Sequence, residues 1–186
     1  MAATKMLTDN ELINRAKEGN ELAFQGLVER YQQRVAATVI GMLGQSAETE
    51  DVGQEVFIRF YKSLNKFRGE SSLGTYLTRI AINLSLNELK RRKRKRLFSF
   101  FSTQDEDVKE LQIPDHSISQ EQRETQQMVH QAIQMLDTKF RTIVLLRLIE
   151  GYSTKETAEI LELPIGTVLS RLARAQDKLK DILTID

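Results

Sequence analysis

The chain has no cysteine and no tryptophan, and only 2 prolines, 9 glycines and 2 histidines among its 186 residues. Without thiols neither disulfides nor thiolate metal sites can form, and His116 and His130 are too few for a metal cage, so no metal and no cofactor are expected. A reducing cytoplasm is the natural setting for such a chain. No apolar stretch approaches the roughly 20 residues needed to span a bilayer. The opening MAATKMLTDNELINRAKEGN also lacks the apolar core of a signal peptide, so a cytoplasmic protein with no direct membrane insertion is expected. Scarce turn-formers beside 40% hydrophobic and 28% charged residues favour an all-α chain. No HExxH, GxSxG or GxxxxGKS motif occurs, and paired carboxylates do not exceed what solvated helices supply. Catalytic residues are therefore not expected, and the reading is that the protein is not an enzyme.

A formal net charge of +1 conceals a strong segregation. Lys90 to Arg96 reads KRRKRKR, seven basic residues in a row, whereas Gln104 to Thr125 holds seven acidic residues against Lys109 and Arg123 alone. Hydrophobic periodicity divides the chain accordingly. Thr8 and Glu11 form a capping-box pattern before a short helix, and a longer helix over Glu21 to Leu43 carries Phe24, Leu27, Val28, Tyr31, Val35 and Val39 on one face. A third helix follows over about Glu48 to Leu64, then a loop over Asn65 to Gly74. A fourth helix, from near Thr75, buries Leu77, Ile80, Ala81 and Leu84 before entering the basic block. These helices can cover one another, which makes residues 1–96 a domain. Residues 97–122 lose the periodicity, contain Pro114 and read as a flexible acidic linker. The LFSFF run at Leu97 to Phe101 is unusual there; it either packs back on the first domain or offers a docking patch.

Residues 123–186 resume the helical period. Ser153 to Glu156 is a second capping box, opening a short helix with Ala158 where two axes would cross, and after a brief turn a last helix runs from about Pro164 to Leu183. This is the spacing of a helix-turn-helix. On the last helix Val168, Leu172, Ala175, Leu179 and Ile182 line one side. Thr167, Ser170, Arg171, Arg174 and Lys178 line the other, and Lys155 lies on the preceding helix. Cations and hydroxyls without an acid are the chemistry that phosphates and guanine edges require in a major groove.

The first domain supplies the discrimination. Asp51, Gln54, Glu55 and Phe57 are set as DxxQExF, an acidic, hydrogen-bonding patch suited to a basic protein surface. Phe67-Arg68-Gly69 and TYLTRIAINLSLNELKRR follow, in which Arg79, Asn83, Asn87, Lys90 or Arg91, and Arg94 share one helix face, a cationic and amide-bearing track able to follow a single strand. A base pulled from a duplex needs an aromatic to stack on, and Phe67 and Tyr76 are the candidates, with core packing as their alternative role.

With DxxQExF at Asp51 to Phe57, LxxIAxN at Leu77 to Asn83 and PIGTVLSRLARA at Pro164 to Ala175, the chain resembles a bacterial RNA polymerase sigma factor of the extracytoplasmic-function group. That form is reduced to a sigma-two helical bundle and a sigma-four helix-turn-helix. The resemblance covers nearly the whole chain outside the linker. It implies a transcription initiation factor whose partners are core RNA polymerase, promoter DNA both duplex and melted, and a probable anti-sigma factor. On matching residues it implies polymerase docking by Asp51, Gln54, Glu55 and Phe57. It implies minus-ten recognition by Phe67, Arg68, Gly69, Tyr76, Arg79, Asn83, Asn87 and Arg91, with the Phe67 to Gly74 loop receiving a flipped base and Asn83 lining that pocket. Minus-thirty-five recognition falls to Lys155, Thr167, Ser170, Arg171, Arg174 and Lys178. Tyr76 stands where family members usually have tryptophan, and Leu169 where many have a basic or polar residue. The basic block reads as a nonspecific phosphate clamp. The alternative is a helix-turn-helix regulator with a different amino-terminal interaction domain, although such domains are usually α/β and no strand-like run or Gly-rich phosphate loop precedes residue 100.

Overall fold

A computed structural model describes residues 7–99 and 120–184. Among the described residues there are eight α-helices and no strand: α1 (Asp9–Lys17), α2 (Glu21–Leu43), α3 (Ala47–Ser63), α4 (Leu73–Ser99), α5 (Gln120–Met135), α6 (Thr138–Val144), α7 (Thr154–Leu161) and α8 (Ile165–Thr184). The local signals explain most of the boundaries. Thr8 caps α1 with its side chain accepting from the Glu11 amide while the Glu11 carboxylate returns to the Thr8 amide, and Ser153 and Glu156 repeat the arrangement on α7. In both boxes the hydrogen bonds to the cap hold the glutamate carboxyl below its ordinary range. Gly19 and Gly44 carry the positive φ with which the chain leaves α1 and α2.

Two helices run further than the periodicity indicates. The fourth starts at Leu73, where the Ser72 hydroxyl accepts from the Thr75 amide, and continues through Leu97 to Ser99; Leu97 is 58% exposed and does not pack back on the bundle. The three phenylalanine rings of the LFSFF run, and the acidic segment proper, lie outside the residues described. The fifth begins at Gln120, earlier than the resumed apolar pattern suggests.

The four amino-terminal helices close around Leu12, Leu27, Val39, Val56, Phe60, Leu77 and Ile82, all essentially inaccessible. Arg92 of the basic block staples this bundle from outside. It donates to the Leu43 carbonyl at 3.0 Å and pairs with Glu48 and Glu88, each at 3.2 Å. The helix-turn-helix has a small core of its own, Ile143, Ala158 and Val168 with Leu161, Leu163 and Leu172 against it, and Ala158 supplies the close crossing its size permits.

The sequence leaves the relative arrangement of the two halves open; in the structure they touch. One apolar cluster runs from Leu12 in α1 to Ala175 in α8. Beyond Val144 the sixth helix passes into a π turn, Leu145–Ile149, in which the Glu150 amide bonds back to the Leu145 carbonyl. Five residues apart on a regular helix would point about 140° away from each other. The wider turn lets both Leu145 and Glu150 face α2.

Candidate nucleic-acid and polymerase interfaces

On α3, Asp51 and Gln54 are exposed, as a docking surface requires. Glu55 is half-buried and pairs with Arg59 at 2.9 Å, while Phe57 packs against the core beneath the patch; of the four expected docking residues Phe57 is thus support, because its ring points inward. The same helical face continues through two residues the motif does not include. Ile58 is 46% and Tyr61 58% exposed, the latter with its ring edge-on to Phe24 at 4.9 Å. At 100° per residue Asp51, Gln54, Ile58 and Tyr61 fall within one stripe. Extending the period from Gln54 by four and seven residues reaches both, whereas the motif itself stops at Phe57.

Of the two roles open to Phe67 and Tyr76, the structure shows the packed one. Phe67 is only 9% exposed, held edge-on against Phe60 at 6.1 Å and Tyr76 at 5.0 Å. Tyr76 is half-buried and its hydroxyl meets the Ser63 Oγ at 3.0 Å. Both rings pack into an aromatic cluster with Phe24 and Phe60, to which Tyr61 adds at its exposed edge. What the Phe67 segment does present is a cleft of about 420 Å³, lined by Phe67, Gly69, Glu70, Ser71, Ser72 and Leu73 and, from the other side, by Thr8, Asp9, Asn10 and Ile13 of α1. Gly69, at φ 73°, makes the bend that opens it, with Arg68 exposed beside it. Lys17 ties loop to helix by donating to the Phe67 carbonyl at 2.8 Å. The Asp9 carboxylate is held by Arg30 at 2.6 Å and by the Tyr31 hydroxyl, whose pKa is pushed up to about 12 by burial and by that hydrogen bond. Asn10 is exposed at the rim. The α1 wall went unread in the sequence because it is some 60 residues from the loop. Asn83, expected on the pocket lining, is not among the lining residues: ten positions beyond Leu73 on one helix is about 15 Å.

Along α4 the track is partly as expected. Asn83, Asn87, Lys90 and Arg94 are exposed. Arg79 is half-buried, its Nε covered and without a hydrogen-bond partner in the structure. Arg91 pairs with Glu88 at 2.7 Å and with Glu48 at 3.8 Å while its side chain stays 57% exposed, and Lys90 beside it is exposed as well.

On α8, Val168 and Ala175 are buried and Leu172, Leu179 and Ile182 partly so, which turns Ser170 and Arg174 fully outward and leaves Arg171 and Thr167 half-exposed. Lys155 is exposed on α7. Lys178 departs from the expected stripe: its ammonium lies 5.7 Å from the centre of the Phe140 ring, back over α6. Glu162 turns the chain between α7 and α8 in the left-handed region, φ 53° and ψ 45°.

An all-helical scaffold with an exposed stripe on α3, an amide- and cation-bearing track on α4 and a cationic face on the last helix of a helix-turn-helix has the features of a DNA-binding protein. Comparison with known proteins agrees. The description Sigma-70 region 2 matches residues 27–95, and Sigma-70, region 4 matches residues 126–179. The chain is 34% identical over 182 residues to the RNA polymerase sigma-H factor of Pseudomonas aeruginosa, covering 94% of this chain and 93% of that protein. It is 35% identical over 181 residues to the extracytoplasmic-function RNA polymerase sigma-E factor of Escherichia coli K12, with coverage of 94% and 93%. Among solved structures, the fold is shared with CnrH in complex with the cytosolic domain of CnrY (TM-score 0.68, 24% identity, 96% of this chain and 98% of that one). It is shared too with the sigma factor RpoE of Bartonella quintana in complex with the anti-sigma factor NepR (TM-score 0.72, 23% identity, 88% and 98%). The chain belongs to the sigma-70 family of RNA polymerase sigma factors, within the extracytoplasmic-function group, and is a transcription initiation factor. Among the described residues no helix is long and apolar enough to cross a membrane.

Proposed function

We propose that residues 1–96 dock on core RNA polymerase through Asp51, Gln54 and Glu55, with Ile58 and Tyr61 extending the contact. The melted minus-ten strand then runs along Asn83, Asn87, Lys90 and Arg94, and an unpaired base enters the cleft between α1 and the Phe67 to Gly74 loop. Residues 123–186 read the minus-thirty-five duplex through Arg171, Arg174, Ser170 and Thr167 of α8, with Lys155 on the flanking phosphates. The chain makes and breaks no bond; it works in the cytoplasm by positioning polymerase. An anti-sigma factor is its proposed regulator, since the similar structure of the Bartonella RpoE was solved with the anti-sigma factor NepR, and that of CnrH with the cytosolic domain of CnrY.

The observation that carries this reading is that Asp51 and Gln54 on α3 and Ser170 and Arg174 on α8 are exposed at once, on helices whose opposite faces are packed. Run-off transcription with core polymerase and this chain, from a template carrying both promoter elements, tests it. A transcript that depends on the chain, together with its co-purification with core enzyme, is expected. DNA binding without polymerase association would instead indicate a helix-turn-helix regulator.

A further inference from the structure

The first two turns of α8 carry an apolar feature that neither the core nor the cationic stripe accounts for. Leu169 is 52% and Ile165 50% exposed. Neither belongs to the apolar clusters that α8 packs into, which take Val168, Leu172 and Ala175 from the same helix. Four residues apart, the two exposed side chains stand one above the other on one face. Leu169 adjoins the outward Ser170, but it lies about 140° round the helix from Arg174 and about 160° from Arg171. Between this apolar edge and the cations the outer face is small: Gly166, Ser170 and Ala173 are exposed, and a Cβ on Gly166 would meet no atom within 4 Å. No acid occurs from Leu163 to Gln176.

A leucine held half in water beside cations fits a partner that offers apolar surface and phosphate together. Duplex DNA meets both conditions at one base: thymine alone carries an apolar group, its C5-methyl, into the major groove. In a helix-turn-helix the residues that meet base edges sit at the amino-terminal end of the second helix, and α8 begins at Ile165. The small outer face at Gly166 and Ser170 lets the helix backbone approach the groove floor, so that a side chain of leucine's length reaches the base edges. Leu169 and the two arginines point to different sides of the helix, and the base that Leu169 meets is therefore not one that they bond.

We propose that Leu169, backed by Ile165, is a specificity-determining residue of the minus-thirty-five contact and selects a thymine by its C5-methyl, beside the bases read by Arg171 and Arg174. The proposal rests on the reading of α8 as the helix that enters the major groove. A basic or polar side chain at this place adds a contact to phosphate or to a hydrogen-bonding edge; leucine replaces it with shape and the exclusion of water. A thymine methyl is buried against it. Cytosine in the same place lacks the methyl, and its amino group is taken out of water with no acceptor in return.

Duplexes randomised over both promoter elements are enriched by capture on holoenzyme assembled from core polymerase and the full chain. Each thymine enriched in the upstream element is then replaced singly by deoxyuridine, which removes the methyl and leaves every hydrogen-bonding group in place. At one thymine the exchange is expected to weaken holoenzyme binding about fourfold, the effect of burying one methyl-sized group. In Leu169→Ala, a change that favours the helix at an exposed position, this discrimination should disappear, and Leu169→Met should keep most of it. Arg174→Ala should bind more weakly overall and discriminate as the wild type does. Indifference of the wild type to deoxyuridine at every position overturns the proposal. So does unchanged discrimination in Leu169→Ala; an equal loss on both templates there means that the side chain meets a protein instead. If no upstream element is enriched, or if Arg171→Ala and Arg174→Ala are both silent, the major-groove reading of α8 is what fails, and the proposal falls with it.

Discussion

Arg92, in the middle of a run of seven basic residues, spends its guanidinium on the Leu43 carbonyl at 3.0 Å, closing the end of α2 against α4. A block that looks uniform by composition is therefore divided in two. Arg91 and Arg92 belong to the bundle through Glu48 and Glu88, whose attraction, with backbone hydrogen bonding leading, holds the Glu48 carboxyl low. Arg94 faces outward. Arg92→Ala should lower the stability of the amino-terminal helices by about 2 kcal/mol, since hydrogen bonds to a charged group are lost and a carbonyl is stranded. Arg94→Ala should leave the melting temperature unchanged and reduce the slope of log affinity for DNA against log salt by about 1. Thermal melts and salt titrations on both variants check the division.

The burial of Phe67 separates packing from reading. Phe67→Ala should cost about 3 kcal/mol and lower the melting temperature, as deleting a core ring does. Asn83→Ala should leave stability unaltered while weakening capture of a minus-ten single strand. Equal loss of strand binding in Asn83→Ala and in a folded Phe67→Leu, at unchanged stability in both, would return the ring to a direct role.

Arg171→Ala and Arg174→Ala should each weaken binding to a minus-thirty-five duplex by about 1–3 kcal/mol where the contact is bidentate to a base. Lys178→Ala should have a smaller effect, because its ammonium lies over Phe140. Fluorescence anisotropy at moderate salt ranks the three. Unaltered affinity in both arginine variants contradicts the assignment of this face to DNA.

The helix-turn-helix turn offers a stability test in both directions. Ser153→Ala removes the cap of α7 and should cost about 1 kcal/mol. Glu162→Gly relieves a side chain held at φ 53° and should contribute about 0.5–1 kcal/mol of stability. Chemical denaturation followed by circular dichroism measures both.

His130 is half-buried on α5, and burial together with the nearby Arg141 guanidinium lowers its pKa below the ordinary 6.5. A histidine whose folded pKa is depressed binds a proton more readily when unfolded. Its contribution to stability is thus present above pH about 6.5 and is lost as pH falls through the lower folded value. The melting temperature should decline between pH 7 and pH 5, above the range in which Glu11, Glu48 and Glu156 begin to be protonated. His130→Gln should flatten that part of the profile.

Most helix boundaries, both capping boxes, the Ala158 crossing and the two-sided character of α8 were legible in the sequence, because each depends on residues within a turn or two of one another; the reach of α4 to Ser99 and the start of α5 at Gln120 were not. So were the three motifs that carry the family resemblance and the charge segregation. Tertiary packing alone decided which exposed-looking groups are committed: Phe67 to the core, Arg92 to Leu43, Lys178 to Phe140, and α1 to the far wall of the cleft. It also decided that Arg34 and Thr38 meet Glu150 and Tyr152 across 112 to 118 residues. Such contacts have no local period to announce them. They arise where a π turn, a missing Cβ at Gly41 and a buried tyrosine hydroxyl coincide in space, and a one-dimensional pattern carries no record of that coincidence.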